Sequence, residues 1–479
     1  MSHDAIVIGA GVNGLVTAHL LARGGQRVLL LEQRADVDQA PETGWVPTSV
    51  IRELKLDAGT IAVAANDPWI SVPLEGGGRL ELSSDVAKSV EAIRRVSPAD
   101  AAKWPEFCTR MKRVARVLEQ LYDQPAPDVE TRELGELLRL GRLGLSVRRM
   151  GRQGMIDLLR ILPMSVADLL DEWFEHDALK GAIGAAGIMH LRQGPRSGGT
   201  AFNLLHHHVG APAGVFRQGM SRIRAALGAL PGVQIRHAAT VERIVAKAGV
   251  VTGVVLTSGE ELAAPVVVSS ADPRATLLSL LEPGWLDPEF TRAIGNIKCR
   301  GVAARVTLKL ERPVAGGPLA VAPSLTHLER AYDDAKYGRV SARPFVEAHP
   351  ADHRLAVHVQ YVPHTLREGP WDDARRDALG AAVIAQLEPH LPGLRQNVKS
   401  TDVLTPDELE ERYGLTEGHA YHGELTLDQI LFMRPVAGWS RYATPVGGLY
   451  LCGSGTHPGG GILGGPGRLA AREILRDRA

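Results

Sequence analysis

Asp4-Ala-Ile-Val-Ile-Gly-Ala-Gly-Val-Asn-Gly-Leu15 and, further on, Arg27-Val-Leu-Leu-Leu-Glu32 are the parts of the N-terminal sequence that decide the fold. The apolar runs Ala5–Ile8 and Val28–Leu31 each predict a buried β-strand. Between them, apolar residues at helical spacing predict a helix that ends at the glycine pair 24–25. Strand, glycine-rich turn, helix and strand in this order are typical of a unit that binds a dinucleotide.

The glycines of the turn, Gly9, Gly11 and Gly14, form the pattern G-x-G-x-x-G. The first allows a tight turn, the second lets a pyrophosphate approach the backbone, and the third lets the helix pack on the strands. The helix N-terminus then faces the phosphates. Glu32 follows Gly14 by 18 residues, and its carboxylate can accept a hydrogen bond from a ribose hydroxyl. We therefore interpret the stretch as a dinucleotide-binding motif rather than a glycine-rich structural turn.

The composition is that of a globular protein with more than one domain. With 479 residues, 44% of them hydrophobic and 23% charged, the chain is too long for one small core. Lysine plus arginine equals aspartate plus glutamate at 54 each, so nothing favours a nucleic-acid partner. The N-terminus is a strand rather than a secretory signal, and no apolar run reaches membrane-spanning length, which predicts a cytoplasmic location. The three cysteines are widely spaced, so we expect reduced thiols and no metal site.

The middle of the chain is predominantly helical in its pattern. The segment from Leu137 to Arg152 interleaves arginines with leucine and methionine and contains almost no acid. Such a helix fits peripheral contact with an anionic membrane surface, and it also fits an ordinary surface helix whose apolar face packs on the core. The adjacent histidines 206–208 suggest a metal, but neighbours on a helix point in different directions, so we expect packing or a polar cavity wall instead.

Strand patterns return in the second half of the chain. The segment from Pro265 to Asp272, apolar at first and polar at its end, predicts a strand that returns to the dinucleotide domain. The segments Ala303–Leu310 and Leu355–Tyr361 alternate strictly, which predicts half-buried antiparallel strands. Between Trp371 and Leu391 the spacing predicts an amphipathic helix.

The stretch from Gly448 to Leu475 predicts a strand, a glycine-rich loop and a helix. Eight glycines lie in the loop, from Gly453 to Gly467. Such a density of glycine before a helix indicates that the backbone comes very close to a flat or charged group. A nicotinamide enzyme needs no second cradle of this kind, whereas a flavin ring lies on backbone whose N–H groups stabilise its reduced form. The loop therefore favours a flavin.

Together, the stretches Gly9–Leu15 and Leu449–Gly461 resemble those of the phytoene-desaturase-related FAD-dependent oxidoreductases. More narrowly, they resemble the branch that contains the pyridine nucleotide-disulphide oxidoreductase domain-containing protein 2. Further segments carry the same resemblance: Met164–Phe174, Gly194–Ser197, Leu204–His207, Val268–Pro273, His422–Gln429 and Arg434-Pro435.

The resemblance implies an α/β protein with a Rossmann-like FAD-binding domain of the glutathione-reductase and amine-oxidase type. An α+β substrate domain is expected to be inserted into it. The FAD-binding domain is expected in three segments, 1–84, 214–298 and 420–479. The substrate domain is expected in two segments, a mainly helical one at 85–213 and one with an antiparallel sheet and a helix at 299–419.

The resemblance also implies which residues touch FAD. His457 is expected beside the flavin ring, as a charge stabiliser or proton shuttle or as a brace for the loop. One departure is Asp38-Gln39, which stands where the family carries a glycine pair, and a carboxylate near a pyrophosphate predicts weaker or altered FAD binding. The expected cofactor contacts are Gly9, Gly11, Asn13, Gly14, Glu32, Arg34, Val241, Ala271, Gly453, Gly461 and Ile462.

The leading hypothesis is an FAD-dependent dehydrogenase or desaturase. It would move a hydride from a C–H bond of a largely apolar substrate to flavin N5 and pass electrons to oxygen or a quinone. One alternative is a flavin-dependent amine oxidase, in which Trp439 and Tyr442 either wall the amine or only pack. Another is an isomerase or a binding protein without turnover, because of the change at Asp38-Gln39.

Overall fold

The dinucleotide motif forms the centre of a parallel sheet. The computed structural model describes residues 3–35, 42–62, 67–128, 131 and 133–478, so Asp38-Gln39 lies outside the described residues. The strands are β1 (Ala5–Ile8), β2 (Val28–Leu31), β3 (Glu42–Thr43), β4 (Ile70–Pro73), β5 (Arg79–Leu82), β6 (Met220–Ser221), β7 (Gln234–Arg236), β8 (Val241–Lys247), β9 (Val250–Leu256), β10 (Glu261–Ala263), β11 (Val267–Ser269), β12 (Ala303–Leu310), β13 (Leu319–Ala320), β14 (Phe345–Ala351), β15 (Arg354–Gln360), β16 (Val398–Leu404) and β17 (Leu449–Leu451).

Helices cover one face of this sheet, the small sheet β8–β10 packs on its other face, and further helices form a layer built from the middle of the chain. They are α1 (Val12–Arg23), α2 (Thr48–Leu54), α3 (Ala58–Ile61), α4 (Val86–Arg94), α5 (Pro98–Tyr122), α6 (Leu134–Arg149), α7 (Gly151–Ile161), α8 (Val166–Trp173), α9 (Asp177–Ile188), α10 (Thr200–His208), α11 (Ile223–Gly228), α12 (Pro288–Gly295), α13 (Leu325–Lys336), α14 (Asp373–Leu387), α15 (Leu394–Asn397), α16 (Pro406–Tyr413) and α17 (Gly465–Asp477).

Five parallel strands form the first sheet, in the order β17-β11-β1-β2-β7. Every residue of β1, β2, β11 and β17 is buried, as expected of a parallel sheet covered on both faces. α1 connects β1 to β2, and α17 follows β17 and packs against α1. The N-terminal and C-terminal motifs therefore meet side by side, and the Rossmann-like fold class predicted from the sequence is confirmed.

The larger sheet has seven strands, in the order β16-β12-β15-β14-β13-β4-β5. β12 and β15 pair antiparallel, and buried residues recur at every second position of β12, as the alternation predicted. α14 lies within the predicted helix 371–391 and packs against β16. On the opposite side, α9 packs against β4, and the helical layer encloses an aromatic cluster built around Trp104, Phe107 and Phe216.

The three segments predicted for the FAD-binding domain each supply strands to the five-stranded sheet. Segment 1–84 supplies β1 and β2, segment 214–298 supplies β7 and β11, and segment 420–479 supplies β17. Segment 1–84 also supplies β4 and β5 to the seven-stranded sheet. A separate antiparallel sheet, β10-β9-β8, also falls in segment 214–298. The exact boundaries of the five segments stay predictions.

The basic segment Leu137–Arg152 lies on two helices, α6 and α7, which meet at Gly151 with a φ of +75°. Within α6 the buried residue is Glu136, Leu143 packs partly on the core, and four other leucines are exposed: Leu134, Leu137, Leu138 and Leu145. Within the described ranges, no helix combines the length and the apolar character that crossing a bilayer requires.

Candidate functional site

The turn between β1 and α1 keeps the space that a pyrophosphate needs. Gly9 has a φ of +90°, a conformation that favours glycine. A Cβ on Gly14 would overlap the carbonyl oxygen of Gly9, so the helix packs directly on the turn. A Cβ on Gly11, by contrast, would meet no described atom within 4 Å. Because Gly11 is also the N-cap of α1, the first N–H groups of the helix are available to an anion at this point.

Glu32, at the end of β2, is buried beneath this turn. Its Oε2 accepts a hydrogen bond from the N–H of Ala10 at 2.8 Å, and its Oε1 accepts one from the N–H of Arg34 at 3.1 Å. The guanidinium of Arg34 also contacts this carboxylate, at 3.3 Å. The N–H of Ala239 donates to the Glu32 carbonyl at 2.9 Å and leads into β8, which starts at Val241. Glu32, Arg34 and Val241 thus lie along one edge of the sheet.

Asn13 joins the N-terminal turn to the C-terminal loop. Its Oδ1 accepts a hydrogen bond from the N–H of Gly464 at 3.2 Å, and its Nδ2 donates to the hydroxyl of Ser454 at 3.3 Å. A Cβ on Gly467 would overlap the Asn13 carbonyl, so α17 lies against α1 with no side chain between them. The contact of Asn13 with a pyrophosphate stays a prediction, since here its side chain binds protein groups.

The C-terminal loop is held by two other parts of the chain. Gly453 lies so close to the backbone that a Cβ would meet the carbonyl oxygen of Ala271 at 3.0 Å. The N–H of Trp45 donates to the carbonyl of Gly461 at 2.9 Å, and its own carbonyl accepts from the N–H of Leu463 at 2.8 Å. Ala271 thus lies directly against Gly453, while Trp45 holds the part of the loop that contains Gly461 and Ile462.

His457, predicted beside the flavin ring, is completely buried in this loop. Its Nε2 lies 3.1 Å from the carbonyl oxygens of both Leu121 and Gln124, so the proton is on Nε2. Burial lowers the pKa of His457 to about 4, and the ring is neutral at pH 7. Its Nδ1 is buried without a hydrogen-bond partner among the described residues. His457 is thus positioned to accept a proton at Nδ1, and as a neutral group it is not a source of positive charge.

The histidines 206–208 lie on α10, and two of them bind tyrosines around the loop. His206 donates from Nε2 to the carbonyl of Gly460 at 2.7 Å and accepts from the hydroxyl of Tyr122 at 2.8 Å. His207 accepts at Nε2 from the hydroxyl of Tyr421 at 3.1 Å. Burial lowers the pKa of His206 to about 3 and that of His207 to about 4. The predicted role as a polar wall is consistent with these contacts.

Tyr421 was not identified from the sequence, although it precedes a segment that carries the family resemblance. Its ring packs on the glycine-rich loop so tightly that a Cβ on Gly460 would overlap it, and a Cβ on Gly461 would meet its hydroxyl at 3.2 Å. Gly461 would also bring a Cβ within 2.7 Å of Oε1 of Gln218, an oxygen without a hydrogen-bond partner among the described residues. Glycine is therefore required at both Gly460 and Gly461, because side chains from other segments pack directly against the loop.

Arg434 organises the segment that carries Tyr421. Its guanidinium is buried and donates to the carbonyl oxygens of five residues, and burial lowers its pKa to about 10, so it remains positive at pH 7. Bonds between a side chain and backbone carbonyls leave no periodic pattern, which explains why no role was predicted for Arg434. The carbonyls that accept belong to Tyr421, Gly423, Glu424, Gln429 and Ser454.

The residues present fit FAD. The open space at Gly11 and the N-terminus of α1 suit a pyrophosphate, and the carboxylate of Glu32 is in place for a ribose. The orphaned Nδ1 of His457 and Oε1 of Gln218 lie at the far end of the same loop, where a ring system would come. No group of three or more histidine, cysteine, aspartate or glutamate side chains that could hold a metal occurs in the described part of the chain.

A dinucleotide-binding turn near the N-terminus and a glycine-rich loop near the C-terminus, which meet in one domain, define the fold of a flavoprotein. Comparison with known proteins agrees: residues 52–475 match the flavin containing amine oxidoreductases, and residues 7–70 match the NAD(P)-binding Rossmann-like domain. The chain belongs to the flavin containing amine oxidoreductase family.

Relatives extend over the whole chain. The pyridine nucleotide-disulfide oxidoreductase domain-containing protein 2 of Rattus norvegicus is 31% identical over 99% of this chain and 94% of its own. A phytoene desaturase (neurosporene-forming) of Cereibacter sphaeroides is 24% identical over 98% of this chain and 93% of its own length. The solved structure of cyclohexylamine oxidase from Brevibacterium oxydans has the same fold, with a TM-score of 0.56, 15% identity and 100% of both chains covered.

These comparisons confirm the resemblance to the phytoene-desaturase-related flavoproteins. The protein is an FAD-dependent oxidoreductase that acts on a small-molecule substrate. When bound, FAD supplies a ring that takes up two electrons at its N5.

Proposed function

We propose that this enzyme removes a hydride from a C–H bond of a largely apolar substrate and leaves a C=C or C=N bond. The observation that carries this proposal is that three histidines and a tyrosine packed around the C-terminal loop are uncharged. His206, His207 and His457 are all neutral at pH 7, because burial lowers the pKa of each to about 4 or below. The hydroxyl of Tyr421 is also neutral, because burial raises its pKa. Uncharged surroundings of this kind favour an uncharged substrate.

The charges that do lie near the loop disfavour a cationic amine. Arg217 is deeply buried, and although burial lowers its pKa to about 9, it is positive at pH 7, as is Arg434. Two buried carboxylates are already paired, Glu347 with Arg217 and Glu424 with Arg300. An ammonium group near these residues would therefore meet positive charge.

The aromatic wall considered for an amine oxidase finds no support. The ring of Trp439 is partly exposed at the surface and packs on Phe290, with 5.4 Å between ring centres. Tyr442 is fully buried, and its hydroxyl donates to the carbonyl of His457 at 3.1 Å. The two rings have different surroundings, which favours packing roles for both. The relative named for phytoene, a hydrocarbon polyene, also supports an apolar substrate.

We assign His457 as the proton acceptor and the predicted cofactor contacts as the FAD site. The substrate loses a hydride from one carbon and a proton from the neighbouring atom, and Nδ1 of His457 has the free lone pair to take that proton. Electrons then leave to oxygen or a quinone.

The five predicted segments are retained as the domain division. A cytoplasmic location with contact at a membrane surface completes the proposal.

The visible absorption spectrum of the purified protein is the first test, with the supernatant after denaturation measured alongside. Flavin bands at about one per chain, released on denaturation, would support bound, non-covalent FAD. Anaerobic mixing with hydrocarbon polyenes and, separately, with primary amines then shows which class bleaches the flavin band. Bleaching by amines alone would overturn the apolar substrate. A colourless protein that takes up no added FAD would overturn the redox function and make Asp38-Gln39 its decisive feature.

A further inference from the structure

Helix α6 exposes a continuous stripe of leucine. Leu134 is 73% exposed and Leu138 is 56% exposed, and Leu137 and Leu145 are exposed as well. With about 100° of rotation per residue, these four side chains fall within an arc of about 100° on the helix surface. Part of the apolar surface of α6 therefore points away from the core, whereas Leu143 and Val147 of the same helix pack against it.

The acids of the α6–α7 hairpin point the other way. Glu136 is buried and pairs with Arg441, with Nη1 and Oε1 3.1 Å apart. Asp157 is buried and pairs with Arg110, with Nε and Oδ2 3.1 Å apart. Both carboxylates are thus neutralised by partners on the inner side.

The charge that remains on the outer side is positive. Six arginines lie on the two helices, and four of them form no ion pair within the described residues: Arg142, Arg148, Arg149 and Arg152. By the same rotation per residue, Arg148 lies within the arc of the leucine stripe of α6, and Arg142 and Arg149 lie within about 40° of its edge. A stripe of leucine bordered by unpaired arginine is the pattern of a helix that lies in a membrane interface.

The second helix, α7, also exposes apolar side chains. Met155, Ile156 and Leu159 of α7 are exposed, Leu159 at 74%. Of the 13 large apolar side chains exposed in the described ranges, these three and the four leucines make seven. Glu136 is the fully buried residue of α6, and the apolar contacts of this 16-residue helix with the core come from half-buried side chains such as Leu143 and Val147, so burial within the protein stabilises it only in part. An apolar partner outside the chain would supply that burial.

We propose that α6 and α7 seat this protein on the surface of a bilayer that contains anionic lipid. The leucines of the stripe enter the acyl boundary, and Arg142, Arg148, Arg149 and Arg152 bind lipid phosphates. The positive outer charge matches an anionic headgroup layer, whereas a second copy of this chain would bring the same charge against itself.

The position of the surface connects it with the proposed function, and this step rests on that function. A cavity of about 100 Å³ lies beneath α6, between Leu121, Gln124, Leu140 and Leu143. The carbonyls of Leu121 and Gln124 are the ones that hold Nε2 of His457. Docking through α6 therefore places the lipid phase next to the proton acceptor, which suits a substrate that partitions into the bilayer.

Vesicle flotation of the FAD-loaded protein tests the docking. The vesicles are phosphatidylcholine alone and phosphatidylcholine mixed with an equal part of phosphatidylglycerol. We expect flotation with the anionic vesicles only, and a loss of binding at about 1 M salt, where the screening length falls to about 3 Å. The variants L134Q/L138Q/L159Q and R142E/R148E/R149E should each lower the affinity for these vesicles by about tenfold or more.

A matched variant carries the same type of change at exposed apolar residues elsewhere, Leu278→Gln, Tyr337→Gln and Phe432→Gln, and should float like the wild type. Flavin absorbance and melting temperature are measured for each variant to show that it is folded. Equal flotation of the leucine variant and the wild type, or no flotation of the wild type, would overturn the docking. If the wild type is an oligomer and the leucine variant is a monomer, the surface is assigned to self-association instead. Failure of substrate turnover with intact flotation would overturn the proposed function and leave the docking in place.

Discussion

At the scale of single residues, substitutions of Gly11 and Gly14 distinguish an effect on FAD binding from an effect on folding. A Cβ on Gly11 enters open space, and its φ of −66° suits any residue, so Gly11→Ala should change the melting temperature of the FAD-free protein little. The added methyl group occupies the space that the pyrophosphate needs, so the affinity for FAD should fall by about tenfold or more. Titration with FAD, followed by quenching of its fluorescence, measures this loss.

The neighbouring glycine provides the contrast. Gly14→Ala places a Cβ on the carbonyl of Gly9 and should lower the melting temperature of the FAD-free protein. Gly228→Ala, a change in a short helix with open space around the added Cβ, should affect neither folding nor FAD binding. Unchanged FAD affinity in Gly11→Ala would place the pyrophosphate elsewhere.

His457 is the residue whose role turnover can decide. His457→Gln keeps a donor for the carbonyls of Leu121 and Gln124 but removes the free ring nitrogen, so FAD should stay bound. Loss of a general base should lower kcat by about a hundredfold or more. The pKa of about 4 also predicts an acid limb near that pH in the wild-type rate profile, and the variant should lack it. A brace alone would show a lower melting temperature with kcat and the acid limb unchanged.

At the scale of elements, the segment 421–429 is held on the C-terminal loop by one side chain. Arg434→Lys keeps the charge, but an ammonium has three donors for five carbonyls, so buried carbonyls remain unpaired. Each unpaired carbonyl costs about 1 to 3 kcal/mol, and the free energy of unfolding should fall by about 3 kcal/mol or more. Urea unfolding measures this change, with Arg395→Lys at the surface as the control. A fall below about 1 kcal/mol would show that water replaces the bonds.

The elements that the sequence predicts are those whose contacts are local or periodic. The order of glycines 9, 11 and 14 fixes β1, α1 and the turn, and strict alternation identifies β12 and β15. The break between α8 and α9 depends on buried Asp100, which accepts the N–H groups of Glu175 and His176 at 2.9 Å each. The placement of β4 beside β13 likewise depends on contacts far apart in the chain, which no local pattern reports.

The residues of the candidate site likewise fall into two groups, those that a local pattern predicts and those that depend on tertiary contacts. Glu32 and the glycines follow from a motif, because phosphate and ribose binding demand fixed residue types at fixed spacing. Tyr421 and Arg434 act through backbone carbonyls and close packing, which any of many sequences could provide. The protonation of His457 depends on burial by α5 and the loop that follows it, so it follows from the tertiary structure alone.

At the scale of the whole molecule, the interior contains an unusual number of neutral histidines. In each, burial is the largest cause of a pKa that falls from 6.5 to about 4 or below. The histidines with such values are His206, His207, His208, His327, His349, His358, His419 and His457.

These histidines make the free energy of unfolding decrease as the pH falls. Because the folded pKa values are depressed, the unfolded chain binds more protons than the folded chain between pH 6.5 and about 4. The stabilisation is complete above pH 6.5 and is lost as the pH falls towards 4, by at most about 1.4 kcal/mol per pH unit for each histidine. Glu136, whose pKa its pairing with Arg441 lowers, adds a loss of the same sign below its ordinary value of 4.5.

Urea unfolding between pH 8 and pH 5 should therefore show a nearly constant free energy of unfolding down to about pH 7, then a steep fall. The slope near pH 5 should correspond to the uptake of several protons on unfolding, since the histidines protonate together only when the core opens. His327→Gln, which removes a buried histidine far from the glycine-rich loop, should reduce that slope by about one proton. A slope of less than one proton near pH 5 would mean that the interior histidines are hydrated, and the neutral state of the histidines around the C-terminal loop, on which the apolar substrate depends, would no longer hold.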